Sequence, residues 1–146
     1  MKQENVMNHF VSAIQMGEEI FGIYREKAED QKLKLILIDF IASFGTQKEN
    51  LINDLIAANF TIEEGLSMLQ KNAIAMERMR VKLIQNDYDL GIRIIDAMSS
   101  AIKGALKYYR KCDAEIRIRF RKSIREILAN YENIIGKIKT YLINLD

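Results

Sequence analysis

Proline and tryptophan are absent from this 146-residue chain, glycine is held to seven, and there is one cysteine and one histidine. Without proline, and with so little glycine, the chain lacks the residues that break helices and mark flexible linkers. A lone Cys112 excludes an internal disulfide; it fits a reducing compartment and equally a cysteine-poor exported protein. A lone His9 excludes a site built on two imidazoles, and His9 with Cys112 gives no nucleophile–base pair. No Gly-rich phosphate loop is present. No apolar run approaches the roughly 18 residues that span a bilayer. The start, Met1-Lys2-Gln3-Glu4-Asn5, has no apolar stretch behind it of the kind a signal peptide needs. The expectation is a soluble, cytoplasmic, non-enzymatic protein without a cofactor.

What is present favours helix. Ala, Leu, Ile, Lys and Glu dominate, and the length fits one domain over 1–146 with a continuous core. Apolar residues recur at alternating three and four spacing in five stretches. Over about 3–29 the seam is Met7, Phe10, Ile14, Gly17, Phe21, Tyr24 and Ala28; over about 31–58 it is Leu33, Leu37, Phe40, Phe44, Gln47, Leu51 and Leu55. A third stretch, about 62–85, carries Leu66, Leu69, Ala73, Met76 and Leu83 with Arg80 interrupting; Thr61 with Glu64 reads as its capping box. A fourth, about 88–110, follows an N-cap at Asp87 and carries Gly91, Ile95, Met98, Ile102 and Tyr109. The fifth begins at an Asp113 cap and continues to about 144 through Phe120, Ile124, Ile127, Tyr131, Ile134, Ile138 and Tyr141. Glycine on a seam, as at Gly17, implies close approach of a neighbour. Met68, Met76 and Met79 are a loose cluster that reads as core filling rather than a copper site.

Residues 30–52 and 113–135 repeat one another at an offset of 83 positions. Asp30, Leu33, Leu35, Leu37, Ile41 and Phe44 match Asp113, Ile116, Ile118, Phe120, Ile124 and Ile127. Gln47-Lys48-Glu49-Asn50-Leu51-Ile52 then matches Asn130-Tyr131-Glu132-Asn133-Ile134-Ile135. The chain thus reads as hairpins over about 3–58 and 88–144, with an extra helix over about 62–85.

The run from Gly17-Glu18-Glu19-Ile20-Phe21 to Glu29-Asp30, with Ile36, Phe40 and Gln47-Lys48-Glu49-Asn50, resembles the first two helices of rubrerythrin-like proteins. The stretch from Asp87-Tyr88-Asp89-Leu90 to Leu106-Lys107-Tyr108-Tyr109-Arg110 is similar in the same way. The resemblance implies an all-α, antiparallel up-and-down bundle of ferritin-like type with an additional helix, from a branch without a settled function. Ferritin-like di-iron sites take a Glu-x-x-His from each of two helices. Here the aligned positions read Gln47-x-x-Asn50 and Asn130-x-x-Asn133, and the first-helix carboxylate falls near Ile14. Neutral amides are poor ligands for iron or zinc, so the expectation is a lost metal site, with Gln47, Asn50, Asn130 and Asn133 as buried polar candidates, some in a hydrogen-bonded layer. The alternative is a metal held by Glu18, Glu49, Asp96 and Glu132.

Charge supplies a different reading. Residues 1–58 hold six Lys/Arg against nine Asp/Glu, and the remainder sixteen against eleven, giving the net +2. Lys103, Lys107, Arg110, Lys111, Arg117, Arg119, Arg121, Lys122 and Arg125 crowd the turn between the last two stretches. A cluster of this kind attracts nucleic acid or an anionic membrane surface, with Arg117, Arg121 and Arg125 expected on one helix face. No motif that reads bases accompanies them. Leu35, Ile38, Ile52, Ile92, Ile118 and Ile143 lie off the seams and suggest a second apolar face in a homo-oligomer or against a protein partner. The favoured function is a structural or protein-interaction module.

Overall fold

The computed structural model describes residues 3–63 and 65–145. It contains six helices: α1 (Gln3–Lys27), α2 (Gln31–Ala57), α3 (Met68–Lys82), α4 (Asp87–Lys111), α5 (Ala114–Arg119) and α6 (Arg121–Ile143). There is no strand among the described residues, and none of the helices is long and apolar enough to cross a membrane.

α2 is flanked by α1 and α6, α6 also carries α4, and α3 lies on α1, while α1 and α4 scarcely touch. The seams of α1, α2 and α6 point inward as their spacing predicts: Ile14, Phe21, Tyr24, Leu33, Leu37, Phe44, Leu55, Ile134 and Ile138 have no accessible surface. On α4 the expected Gly91 and Met98 are buried, joined by Leu90 and Ile94, while Ile95 and Ile102, also expected on the seam, are only partly buried. Both seam glycines mark close approach. A Cβ on Gly17 would lie 3.2 Å from the Phe44 ring, and one on Gly91 would lie 2.6 Å from Leu142 Cδ2.

The 83-residue repeat is visible in space. Leu33 and Ile116, Leu37 and Phe120, Phe44 and Ile127, and Leu51 and Ile134 are all buried, whereas Leu35 and Ile118 are both exposed. Contacts between α2 and α6 come in pairs related by the same offset. Ser43 Oγ donates to Asn130 Oδ1 (3.2 Å), and the equivalent pair is Gln47 Nε2 donating to the Glu126 carbonyl (2.8 Å). Ser123 bonds Asp54 (2.9 Å), and the equivalent pair is Lys137 over the Phe40 ring (5.9 Å). At the centre Asn130 Nδ2 donates to its own counterpart, Gln47 Oε1 (3.2 Å).

The connections differ from the sequence reading at several points. α2 ends in a Schellman-type turn with Asn59 at φ 61°, where the Phe60 N–H reaches the Leu55 carbonyl (2.9 Å) and the Asn59 N–H that of Ile56 (2.9 Å). α3 begins at Met68, not near 62. Its cap is Ser67, which forms a reciprocal capping box with Gln70. Glu64 of the expected Thr61–Glu64 box lies outside the described residues, and the Thr61 carbonyl instead accepts from Asn8 Nδ2 (2.8 Å). The α4 cap is Asn86, bonded to the Asp89 N–H (2.8 Å), rather than Asp87. The Asp87 carboxylate is already taken by the backbone N–H groups of Glu29 (3.0 Å) and Asp30 (2.8 Å) in the α1–α2 turn. The expected continuous fifth helix is interrupted at Phe120, whose buried ring meets Phe60 at 5.6 Å.

The largest departure is the rotation of α3. Its buried residues are Ile74, Glu77 and Val81. The predicted seam is turned outward, with Leu69 80%, Met76 63% and Leu83 82% exposed. The true inner stripe runs one residue later than the apolar one, a shift of about 100° around the helix. Met68 and Met79 are exposed as well, so none of the three clustered methionines fills the core. The compensation for burying Glu77 is the polar cluster it enters.

Candidate functional site: a cavity under the third helix

Because α1 and α4 stand apart, a cavity of about 500 Å³ lies between them, floored by Phe44 and Tyr131 and partly covered by α3. The gap is written in side-chain size. α1 presents Ala13 and Gly17 to it, and α4 presents Ala97, Ala101, Gly104 and Ala105, where larger residues would close the space. Ile20, Met16 and Met98 supply further apolar wall. The exposed lining residues Ala73, Met76, Arg80, Ser100 and Gly104 open the cavity between α3 and α4, and exposed His9 opens it at the α1 end as well. An apolar concavity of this size with a few convergent polar groups is the usual form of a small-molecule site.

One end of the cavity is charged. Glu77 is only 4% exposed. Tyr24 O–H donates a short hydrogen bond to Glu77 Oε2, which also accepts from Arg93 Nε at 2.9 Å. Arg80 Nη1 donates to Glu77 Oε1 at 3.2 Å. A buried carboxylate survives only when paired and hydrogen-bonded, and here three side chains from α1, α3 and α4 supply that. Burial, then the hydrogen bond and charge of Glu77, push the Tyr24 hydroxyl well above the ordinary phenol range, so it remains a donor. Burial pulls the Arg93 pKa down, but the hydrogen bond and charge of Glu77 more than offset this and the net movement is upward.

The other end is aromatic. His9 stacks on Tyr108 with ring centroids 4.0 Å apart, and Phe10 meets the same ring edge-on at 5.4 Å. Burial lowers the His9 pKa below 6.5, so the imidazole is mainly neutral at pH 7. In the floor, burial pushes Tyr131 up to about 12.

None of the cluster Tyr24, Glu77 and Arg93 stands out in the sequence as functional. Tyr24 reads as one more seam residue, and Arg80 only as an interruption. The legible signal was a carboxylate at the centre of the one stretch whose apolar pattern is broken by an arginine, facing a helix with an arginine in its second turn.

The residues that the sequence does single out lie elsewhere. Gln47 and Asn130 are half-buried and bonded to each other. Asn50 and Asn133, also candidates for burial, are exposed, because they sit on the outer side of the α2 and α6 seams. Glu18 pairs with Lys48 at 2.7 Å, and Glu49, Asp96 and Glu132 are exposed on three different helices. Among the described residues no three His, Cys, Asp or Glu side chains converge as a metal set. Buried Ile14 and the mutually bonded Gln47 and Asn130 give a donor set that does not fit a di-iron centre. Arg117 lies in α5 and Arg121 and Arg125 in α6, so the break at Phe120 divides the expected arginine face. Arg119 lies over the Phe60 and Phe120 rings at 5.7 and 5.9 Å, and Tyr109 O–H bonds the Arg117 carbonyl at 2.9 Å. These contacts give part of the basic turn a packing role. Comparison of the chain with protein-family models, curated proteins and solved structures gave no significant match.

Proposed function

We propose that this chain is a non-enzymatic, ferritin-like bundle that has lost its di-iron site and serves as a binding module, holding a small apolar molecule between α1, α3 and α4. The cavity carries the reading. A folded core is ordinarily packed to crystal-like density, and this one leaves about 500 Å³ between α1 and α4, walled mainly by apolar and small side chains. Two observations support the ferritin-like, antiparallel arrangement. Gly17 meets Phe44 while Phe21 meets Phe40, so numbers rise along α1 as they fall along α2. The α2–α6 contacts also repeat across the 83-residue offset, as two related hairpins would require.

Titration with the neutral fluorophore N-phenyl-1-naphthylamine tests the binding reading. Saturable one-site binding is expected, and Ala101→Trp, which fills the cavity, should abolish it while the helical circular dichroism stays intact. Absence of saturable binding by the wild-type chain, or full binding by a folded Ala101→Trp, would overturn the reading.

A second reading, self-association as an interaction module, has its own observation. Leu69, Met76 and Leu83 recur at heptad spacing on α3 with Met79 between them, all exposed. This is the form of a helix seam that a second copy can cover. Sedimentation over a concentration series checks it: a dimer that Leu69→Glu with Leu83→Glu dissociates supports the reading, and a monomer at every concentration removes it.

A further inference from the structure

We infer that the ligand of the cavity is a single-chain amphipath with one anionic head, such as a long-chain monocarboxylate, its head held by Arg80 and Arg93 and its chain running toward His9 and Tyr108. This rests on the cavity being a binding site and adds the class of ligand.

Charge is the first support. The ionisable groups lining the cavity are Glu77, Arg80, Arg93, neutral His9 and protonated tyrosines, which leaves a surplus of one positive charge. No second acidic side chain lines the space to cancel it. Glu77 spends both carboxylate oxygens on the cluster, engaging Nε of Arg93 and one terminal nitrogen of Arg80. A guanidinium carries five N–H donors in a planar fork, so further donors remain on each arginine for a carboxylate, whose geometry they match bidentately. Glu77 therefore orients the two guanidinium groups without neutralising both.

Shape is the second support. Tyr24 and Arg93 come together at one end through Glu77, and His9 and Tyr108 stack at the other. His9 and Tyr24 are fifteen residues apart on α1, as are Arg93 and Tyr108 on α4, which is about 22 Å of helix. A volume of about 500 Å³ drawn out over that length is a narrow channel, suited to an extended chain. Its walls between the two ends are apolar or small, Ala13, Gly17, Ile20, Ala97 and Ala101, with no charged partner for a second head group.

Competition on the full-length, delipidated chain tests this. Hexadecanoate, hexadecanol and hexadecylamine are each titrated, below their aggregation limits, against bound N-phenyl-1-naphthylamine. Hexadecanoate should displace the probe at a concentration at least tenfold lower than hexadecanol, with hexadecylamine weakest. Two variants should move the preference in opposite directions. Arg80→Gln, at a half-exposed side chain, removes the surplus charge and should bring hexadecanoate to within about twofold of hexadecanol; Glu77→Gln adds to the surplus and should widen the gap. If Glu77→Gln fails to fold, the wild-type ranking and Arg80→Gln still decide. Equal displacement by hexadecanoate and hexadecanol from a chain that binds the probe would overturn the anionic head and leave the binding reading standing. Hexadecyl phosphate displacing better than hexadecanoate would overturn the carboxylate in favour of a phosphate head, and a chain that takes up no probe would overturn both.

Discussion

The α2–α6 and α1–α4 faces came out differently. Where α2 faces α6, side chains bond across between buried apolar seams, Gln47 and Ser43 with Asn130 and Ser123 with Asp54, beside an open groove lined by Lys32, Ile36, Asn133 and Lys137. Where α1 faces α4, small residues leave the space between the helices unfilled, and a third helix carries a buried carboxylate into the gap. The α2–α6 face is bridged by side-chain hydrogen bonds and the open α1–α4 face holds the apolar cavity, so substitutions on the two should separate in what they change.

The largest stability loss belongs to the buried aromatic floor of the cavity. Phe44 has no accessible surface, meets the Phe21 ring at 5.1 Å and that of Tyr131 at 6.2 Å, and fills the notch above Gly17. Phe44→Ala should cost about 3–5 kcal/mol in denaturant unfolding. Met76→Ala, on the cavity rim and 63% exposed, should change stability by less than about 0.5 kcal/mol. Similar costs for the two would erase the distinction between the buried floor and the exposed rim of the cavity.

Next comes the polar cluster. Glu77→Ala strands Arg93, whose side chain is 24% exposed, and removes the partner of the buried Tyr24 hydroxyl. Breaking a buried pair from one side costs about 3–5 kcal/mol; partial access of solvent to both arginines should bring this to about 2–3 kcal/mol. Replacing the group together, Glu77→Leu with Tyr24→Phe and Arg93→Met, should restore most of the loss, because no polar group is then left buried and unpaired. If the triple replacement is as unstable as Glu77→Ala, the cluster contributes more than its own satisfaction.

Why one face was legible in the sequence and the other was not follows from these residues. The seams of α1, α2 and α6 were readable because apolar burial dominated and spacing reports it directly, as at Phe21, Leu37 and Ile134. The 83-residue repeat aligned Gln47 with Asn130, and the two amides bond to each other. α3 was misread because its more apolar stripe faces out, and spacing cannot reveal that Tyr24, 53 residues earlier, and Arg93, 16 residues later, offer partners to a carboxylate. The cavity left only a faint trace in Ala97, Ala101, Gly104 and Ala105, since small residues on a helix equally signal tight packing. Nothing local distinguished the Asn86 cap from Asp87, because the Asp87 partners lie in the α1–α2 turn.

The amide layer allows a smaller and sharper test of the α2–α6 face. Gln47→Leu removes the acceptor of Asn130 Nδ2 and the side-chain donor to the Glu126 carbonyl, while Asn130→Leu removes the donor to Gln47 Oε1 and one acceptor of Ser43, which keeps the Phe40 carbonyl. Each single change should cost about 1 kcal/mol. The double Leu variant should cost less than the sum of the two and narrow the loss toward zero, because two apolar groups then meet across α2 and α6. Simple additivity would mean that the layer is not a unit.

The smallest effect belongs to the aromatic end of the open face. His9 has a folded pKa lowered from 6.5 by burial against Tyr108, while in the unfolded chain it titrates near 6.5. A histidine held more neutral in the folded state binds fewer protons there than when unfolded. Its contribution is therefore fully present above the unfolded pKa and is lost as pH falls through 6.5 toward the folded value. Carboxylates confuse the measurement only lower down: Asp30, held below 3.8 by the hydrogen bond from Tyr141 and by the Lys32 N–H, acts in a more acid window. Because the edge of the imidazole is solvent-exposed, the effect is small, about a degree of melting temperature between pH 7.5 and pH 5.5. His9→Phe keeps the stacking surface and removes the titration, so its melting temperature should fall less over the same interval. Parallel pH profiles for wild type and His9→Phe would mean that the imidazole is as freely hydrated on Tyr108 as in the unfolded chain.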